Sequence, residues 1–157
     1  SPGFESPSLR KLMFSIEIDK NIITDVTYES VNLLYPHEKI INKKKNFLKE
    51  KFVNNYGLFF ISSIIICNES GLIIDGHHRY NALKELGHNK IPVTKVNYKS
   101  KKIKTSKNND ICKNLIIEKA VLKDLFNPKS TSHLILCERK KRWFPITLIS
   151  SLFQVKL

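Results

Sequence analysis

The chain is poor in sulfur, glycine and acid: its 157 residues hold three cysteines, one methionine, five glycines and 14 Asp or Glu. Cys67, Cys112 and Cys137 are an odd number with no Cys-x-x-Cys spacing, which argues against a disulfide framework and a zinc knuckle. A reducing, cytoplasmic setting is the expectation that follows. No apolar stretch reaches the roughly 18 residues of a membrane helix. The longest, Leu58 to Cys67, is interrupted by Ser62 and Ser63. A membrane is therefore not expected as a partner. Against 14 acids stand 27 Lys and Arg, a net charge of +13. Such an excess favours anionic partners, nucleic acid among them. The lysines occur beside abundant asparagine and isoleucine, the composition of AT-rich coding, and part of the charge is assigned to that bias.

The length suits one compact domain, or one domain with a small appendage, and no internal repeat is visible. Met13 is the only methionine, and residues 1–12 read as a cloning remnant that is left out of fold reasoning. Phe14 to Ile18 alternates apolar and polar as an opening strand. Lys39 to Val53 reads as a lysine-rich surface helix with Ile40, Ile41, Phe47, Leu48 and Phe52 as its apolar positions, ended by Asn54 to Gly57. Ser62 to Cys67 is a β-branched strand, Asn68 to Gly71 a turn, and Leu72 to Ile74 its antiparallel return. Ile91 to Tyr98 is a further strand in which Pro92 marks a start or an edge. Lys99 to Asp110 has no hydrophobic period and reads as an exposed loop or linker. Beyond it come a helix over Ile117 to Leu125, a polar loop from Asn127 to His133, a strand from Leu134, and a last strand over Ile146 to Ile149.

The chemistry is concentrated at Asp75-Gly76-His77-His78-Arg79. The apolar run before it predicts a buried strand, and Ala82, Leu83 and Leu86 give helical spacing that closes at Gly87. A strand-to-helix junction presents free backbone N–H groups and the positive end of a helix dipole, a ready anion site. Arg79 and the imidazoles would reinforce it for phosphate. Taken singly, His77 or His78 could equally cap or satisfy backbone groups. Five such residues in a row have no packing purpose, since ionisable groups are rarely buried unpaired. Asp75 is the candidate for Mg²⁺, which binds through one or two carboxylates with phosphate oxygens and water. Glu38, in Pro36-His37-Glu38, is a candidate base for an acceptor hydroxyl, although a carboxylate there also serves as an ordinary helix N-terminal charge.

Leu34-Tyr35-Pro36-His37-Glu38, then a helix, Gly57, a hairpin, and Ile74 to Arg79 with Ala82, Leu83 and Gly87 resemble the ParB/sulfiredoxin-like fold, and within it the free serine kinases. The resemblance runs from about Phe14 to Tyr98. A second match, Pro128-Lys129-Ser130-Thr131-Ser132-His133, resembles the Pro-Lys-Thr-Thr-Arg-His segment those kinases use near the substrate.

The resemblance implies an α+β fold: a ParB/sulfiredoxin-like nucleotide-binding core over residues 13–98 with a small mixed sheet, a loop or linker over 99–110, and a small C-terminal substrate-binding lobe over 111–157. It implies phosphoryl transfer from ADP or ATP, with Mg²⁺, to free L-serine, giving O-phospho-L-serine for amino-acid metabolism such as cysteine synthesis. Glu38 would be the catalytic base. Asp75, Gly76, His77, His78 and Arg79 would bind the nucleotide phosphates, with Asp75 at the metal. His37, Thr131 and His133 would hold the serine. Ser130 and Ser132 depart from the family's threonine and arginine, removing one positive charge. The position of the sulfiredoxins' reactive cysteine is His77 here, which removes the nucleophile of sulfinic-acid repair. The remaining alternative is a ParB-like nucleotide-dependent DNA-binding protein or nuclease, favoured by the charge. It is disfavoured by the lack of Gly-Glu-Arg-Arg at the phosphate site and of room for a helix-turn-helix domain after Tyr98.

Overall fold

The computed structural model describes Phe4–Glu5 and residues 14–53, 58–106 and 111–156. Ten strands and three α-helices lie in them: β1 Phe4–Glu5, β2 Ile23–Ser30, α1 Asn42–Val53, β3 Leu58–Ser62, β4 Ile64–Cys67, β5 Ile73–Asp75, α2 His77–Glu85, β6 Lys90–Val96, β7 Ile103–Thr105, α3 Lys113–Val121, β8 His133–Cys137, β9 Arg142–Pro145 and β10 Leu152–Lys156. The architecture is α+β. Its centre is a mixed four-stranded sheet in the order β2-β6-β4-β5. There β6 runs parallel to β4, while the β2–β6 and β4–β5 pairs are antiparallel.

Every residue of β4 is buried, because both faces of this strand are covered. Side chains alternate across a strand, so Ile64 and Ile66 face one way, with Val26, Ile73, Ile91 and Val93, onto Phe52 of α1 and Tyr80, Ala82 and Leu83 of α2. Ile65 and Cys67 face the other way, with Ile74 and Val96, onto Ile116 and Ala120 of α3, Ile135 of β8, and Ile146 and Ile149. The C-terminal third is thus the second covering layer of the sheet rather than a lobe set apart by a linker. The expected exposed stretch from Lys99 to Asp110 is interrupted by β7, which pairs with β8 and buries Ile103 to 1% exposure. Residues 107–110 lie outside the described residues, as does the expected helix stop at residues 54–57.

Other expectations need correction. Phe14 to Ile18 forms no strand; only Ile16 of that stretch is buried. The apolar run through Cys67 is two strands in two sheets, divided at Ser63. Its first half, β3, pairs with β10, and β10 pairs in turn with β1. Phe4–Glu5, inside the stretch left out as a remnant, therefore takes part in a sheet. Ile146–Ile149 is a 3₁₀ turn that buries its first and last residues, and the final strand is β10. The third helix begins four residues earlier than expected. Pro92 does sit near a start: pairing of β6 with β4 begins one residue later, at Val93. No helix among the described residues is long and apolar enough to cross a membrane.

The hairpin turn before β5 depends on Gly71. Its φ is +79°, and a Cβ there would fall 2.3 Å from the Leu33 carbonyl oxygen, a backbone atom that cannot swing aside. Gly71→Ala should therefore lower the unfolding free energy by about 1–3 kcal/mol in urea titration. A loss below about 0.5 kcal/mol, the range of neutral surface changes, would show that the turn over Val31–Leu33 yields freely.

Candidate active site

Tyr35 to Lys39 is the thread that assembles the site. Tyr35 accepts the Ile73 N–H at 2.9 Å beside β5, while His37 accepts the Phe126 N–H at 2.9 Å and Lys39 donates to the Phe126 carbonyl at 2.8 Å. The loop after Phe126 is thereby laid over Glu38. One Glu38 carboxylate oxygen accepts the Lys129 N–H at 2.6 Å. The other accepts the Thr131 N–H at 3.2 Å and the Thr131 hydroxyl. Lys129 adopts a left-handed backbone, φ 59°, which turns its N–H toward the carboxylate.

Facing Glu38 across a cleft of about 400 Å³ is the junction between β5 and α2. Gly76 occupies the helix N-cap with φ 103° and no side chain caps this end. The first backbone bond of α2 runs from the Tyr80 N–H to the Gly76 carbonyl, so the N–H groups of the preceding turn have no intrahelical acceptor. Arg79 donates to Asp75 at 3.3 Å and to the Ser63 carbonyl at 3.2 Å, while its Nε–H has no partner among the described residues. Ser63 is itself held by the Thr94 hydroxyl at 2.7 Å and the Ser151 N–H at 3.0 Å, which anchors the arginine to the seam between two sheets.

The expected site residues divide into two layers. Glu38, Asp75, Gly76, His77, His78, Arg79 and Thr131 line the cleft. His37 and His133 do not: they are 0% and 4% exposed and lie behind it, so neither is placed to touch a substrate directly. His133 Nε2 is hydrogen-bonded to the buried Tyr98 hydroxyl at 2.7 Å. Burial, followed by the repulsion of His37 and Lys113, pushes the His133 imidazole down to about 3.

The ring nitrogens of His77 and His78 are also partly committed. His77 accepts the His37 N–H at 3.2 Å and His78 accepts the Ile41 N–H at 2.9 Å. Both are lowered, His77 by burial and then the neighbouring His37 and His133, His78 by burial and then Lys44. They are neutral hydrogen-bonding groups that tie α2 to Pro36–Ile41. The cationic part of the cleft is instead Arg79 with Lys129, and Lys44 stands beside it next to His78; sequence reading passed over both lysines.

Lys129 lines the cleft, and Lys44, from the first turn of α1, lies close enough that the two ammonium groups lower the Lys44 pKa. Lys129 stood inside the quoted Pro-Lys-Ser-Thr segment and could have been found there. Lys44 had no signal among so many lysines. No three His, Cys, Asp or Glu side chains gather as a metal cage among the described residues. Asp75, with its side chain one-third exposed at the cleft, fits a Mg²⁺ that draws its other ligands from phosphate and water.

No family model matches the chain. Among solved structures, a free serine kinase in complex with AMP has a TM-score of 0.47 and 26% identity, covering 59% of this chain and 38% of that one. C-terminally truncated SbnI from Staphylococcus aureus has a TM-score of 0.45 at 26% identity, covering 52% and 33%. In sequence, the ATP-dependent L-serine kinase of Staphylothermus marinus is 36% identical over 78 residues, 47% of this chain, and that of Desulfurococcus mucosus 33% identical over 76 residues, also 47%. These matches cover 30% of each relative's own length. Over about half of its length, then, the chain is a sequence homologue of ATP-dependent L-serine kinases.

Proposed function

We propose that the chain carries the active site of a kinase that transfers a phosphoryl group from ATP or ADP to the hydroxyl of free L-serine, giving O-phospho-L-serine, on a ParB/sulfiredoxin-like core. The observation that carries this reading is a carboxylate held by two backbone N–H groups and a hydroxyl, facing an uncapped helix N-terminus with Arg79 across one cleft. Phosphoryl transfer calls for those parts: a base for the hydroxyl, a cationic cradle for the phosphates, and one carboxylate for the metal. Sequence relatives named as serine kinases support the choice of acceptor.

In this reading Glu38 takes the serine proton. The N–H groups at the start of α2, Arg79, Lys129 and Lys44 hold the phosphates, and the Thr131–Ser132 edge receives the serine. Asp75 would hold Mg²⁺, which when bound neutralises phosphate charge. His77 and His78 position α2, while His37 and His133 back the loop. Positioning and charge neutralisation supply most of the rate.

The test is direct. Purified protein with Mg²⁺, L-serine and either ATP or ADP should yield O-phosphoserine by mass spectrometry, and the nucleotide that supports turnover names the donor. Absence of phosphoserine with both, together with tight salt-sensitive DNA binding, would replace this reading with the ParB-like one.

A further inference from the structure

Behind Glu38 runs a line of hydrogen bonds whose protons can be counted. His37 Nδ1 lies 2.7 Å from the Ile73 carbonyl oxygen. A carbonyl only accepts, so Nδ1 carries a hydrogen, and in the neutral ring Nε2 is then a bare acceptor. Nε2 lies 2.8 Å from the Thr131 hydroxyl oxygen, and that same oxygen is hydrogen-bonded to Glu38 Oε2. Two contacts meet at one hydroxyl, which owns one hydrogen. With His37 neutral and Glu38 ionised, the line Nε2···Oγ1···Oε2 is one proton short. A single added proton completes both contacts.

We infer that Glu38, Thr131 and His37 act as one proton-accepting unit, in which the proton taken from the acceptor hydroxyl is shared through Thr131 with His37 Nε2 at the far end. The inference rests on the proposed reading of Glu38 as the base. As the acceptor oxygen bonds to phosphorus, its O–H bond breaks and an Oε2–H bond forms. That hydrogen then points to Thr131 Oγ1, whose own hydrogen points to Nε2. Transfer along the line breaks Oε2–H and Oγ1–H while forming Oγ1–H and Nε2–H. The carboxylate is restored and the imidazolium holds the charge. After product leaves, the same steps in reverse return the proton to water in the cleft.

The surroundings suit that role. His37 has no exposed surface, and burial lowers its pKa, opposed by the Ile73 carbonyl and by Glu38, so the ring waits neutral. The groups around it are His77 of α2, at 4.5 Å between ring centroids, His133 of β8 at 5.7 Å, and Glu38. Both imidazoles are held neutral by burial, leaving Glu38 as its near charged neighbour. Lys129 and Arg79 of the cleft, and Lys44 beside it, act on His78 on the cleft side. His37 is a positioning residue in this scheme, since it reaches the substrate only through Thr131.

Thr131→Val keeps the shape and removes the hydroxyl, while Thr131→Ser restores it. The valine variant should lose about 10²-fold or more in kcat, within the range of general-base effects, with the acid limb of its pH profile displaced. The serine variant should recover to within about tenfold, because the shared proton has its bridge again. Nitrogen-15 NMR of the imidazoles, without substrate, supplies the second arm. It should find neutral His37 with Nδ1 protonated, and a His37 titration midpoint that falls in Glu38→Gln and in Thr131→Val. A wild-type-like pH profile in Thr131→Val, a protonated Nε2 in neutral His37, or a midpoint unmoved by Glu38→Gln would overturn the unit. If wild-type protein makes no phosphoserine while the NMR couplings appear, the substrate assignment falls and the shared proton stands.

Discussion

Glu38→Gln should reduce phosphoserine formation by roughly 10²–10⁴-fold, the usual contribution of a positioned general base. The substitution keeps the shape of the side chain and one of its two oxygens. Lys129 N–H and the two Thr131 donors converge on both carboxylate oxygens. The glutamine NH₂ must therefore face at least one donor with another donor, and the loop over the cleft will loosen as well as lose its base. For that reason the variant should be read with a nucleotide titration beside the turnover assay. A base that acts only in the transition state leaves ATP or ADP affinity within about threefold of wild type while kcat collapses. Near-normal turnover would remove Glu38 from the chemistry. A matching collapse of nucleotide affinity would make it a structural anchor of the loop.

The second large effect is expected at Gly76→Ala. Gly76 holds φ 103°, where L side chains are strained, and an added Cβ would stand 2.9 Å from Arg79 Nη2 and 3.1 Å from Ile64 Cδ1. Ile64 is completely buried in β4 and has nowhere to go, so the arginine must move. Moving it breaks its bonds to Asp75 and to the Ser63 carbonyl, and withdraws a cation from the phosphate side of the cleft. The backbone strain alone costs about 1–3 kcal/mol of stability. Loss of a charged hydrogen bond to phosphate, about 1.5–3 kcal/mol, weakens nucleotide binding by roughly 10–100-fold. Calorimetric titration with Mg²⁺ and nucleotide, paired with urea unfolding, measures both. Unchanged affinity in the folded variant would mean that the phosphates do not sit at this junction.

The junction was legible in sequence because its signals are local. Leu72 to Ile74 are buried without exception, a glycine turns the chain, and helical spacing resumes at once. Elements whose burial is decided from afar were harder to read. β2 escaped because it is an edge strand with one fully buried residue, Val26, so its polar and apolar positions do not alternate. Ile146–Ile149 looked like a strand because four apolar-rich residues carry no period. It is a 3₁₀ turn, in which residues three apart share a face, and Ile146 and Ile149 are the buried pair. The same logic separates the histidines. In sequence His37 and His133 stood within motifs and read as groups facing the substrate. Their depth was set by the sheet and by Tyr98, neither of which is near them in the chain. Lys44 was hidden by abundance, since a cation that matters has the same local signature as one that is merely solvated.

Glu38 and Lys129 are separated by 91 residues in the chain, and that spacing has a meaning in time. At synthesis rates of about 5–20 residues per second, the nascent chain carries Glu38 for roughly 5–18 seconds before the loop that grips it exists. The early sheet can gather its helices, but the carboxylate has neither its backbone donors nor its threonine. Glu38 therefore acquires the groups that hold it only after the loop over Lys129 and Thr131 has been made.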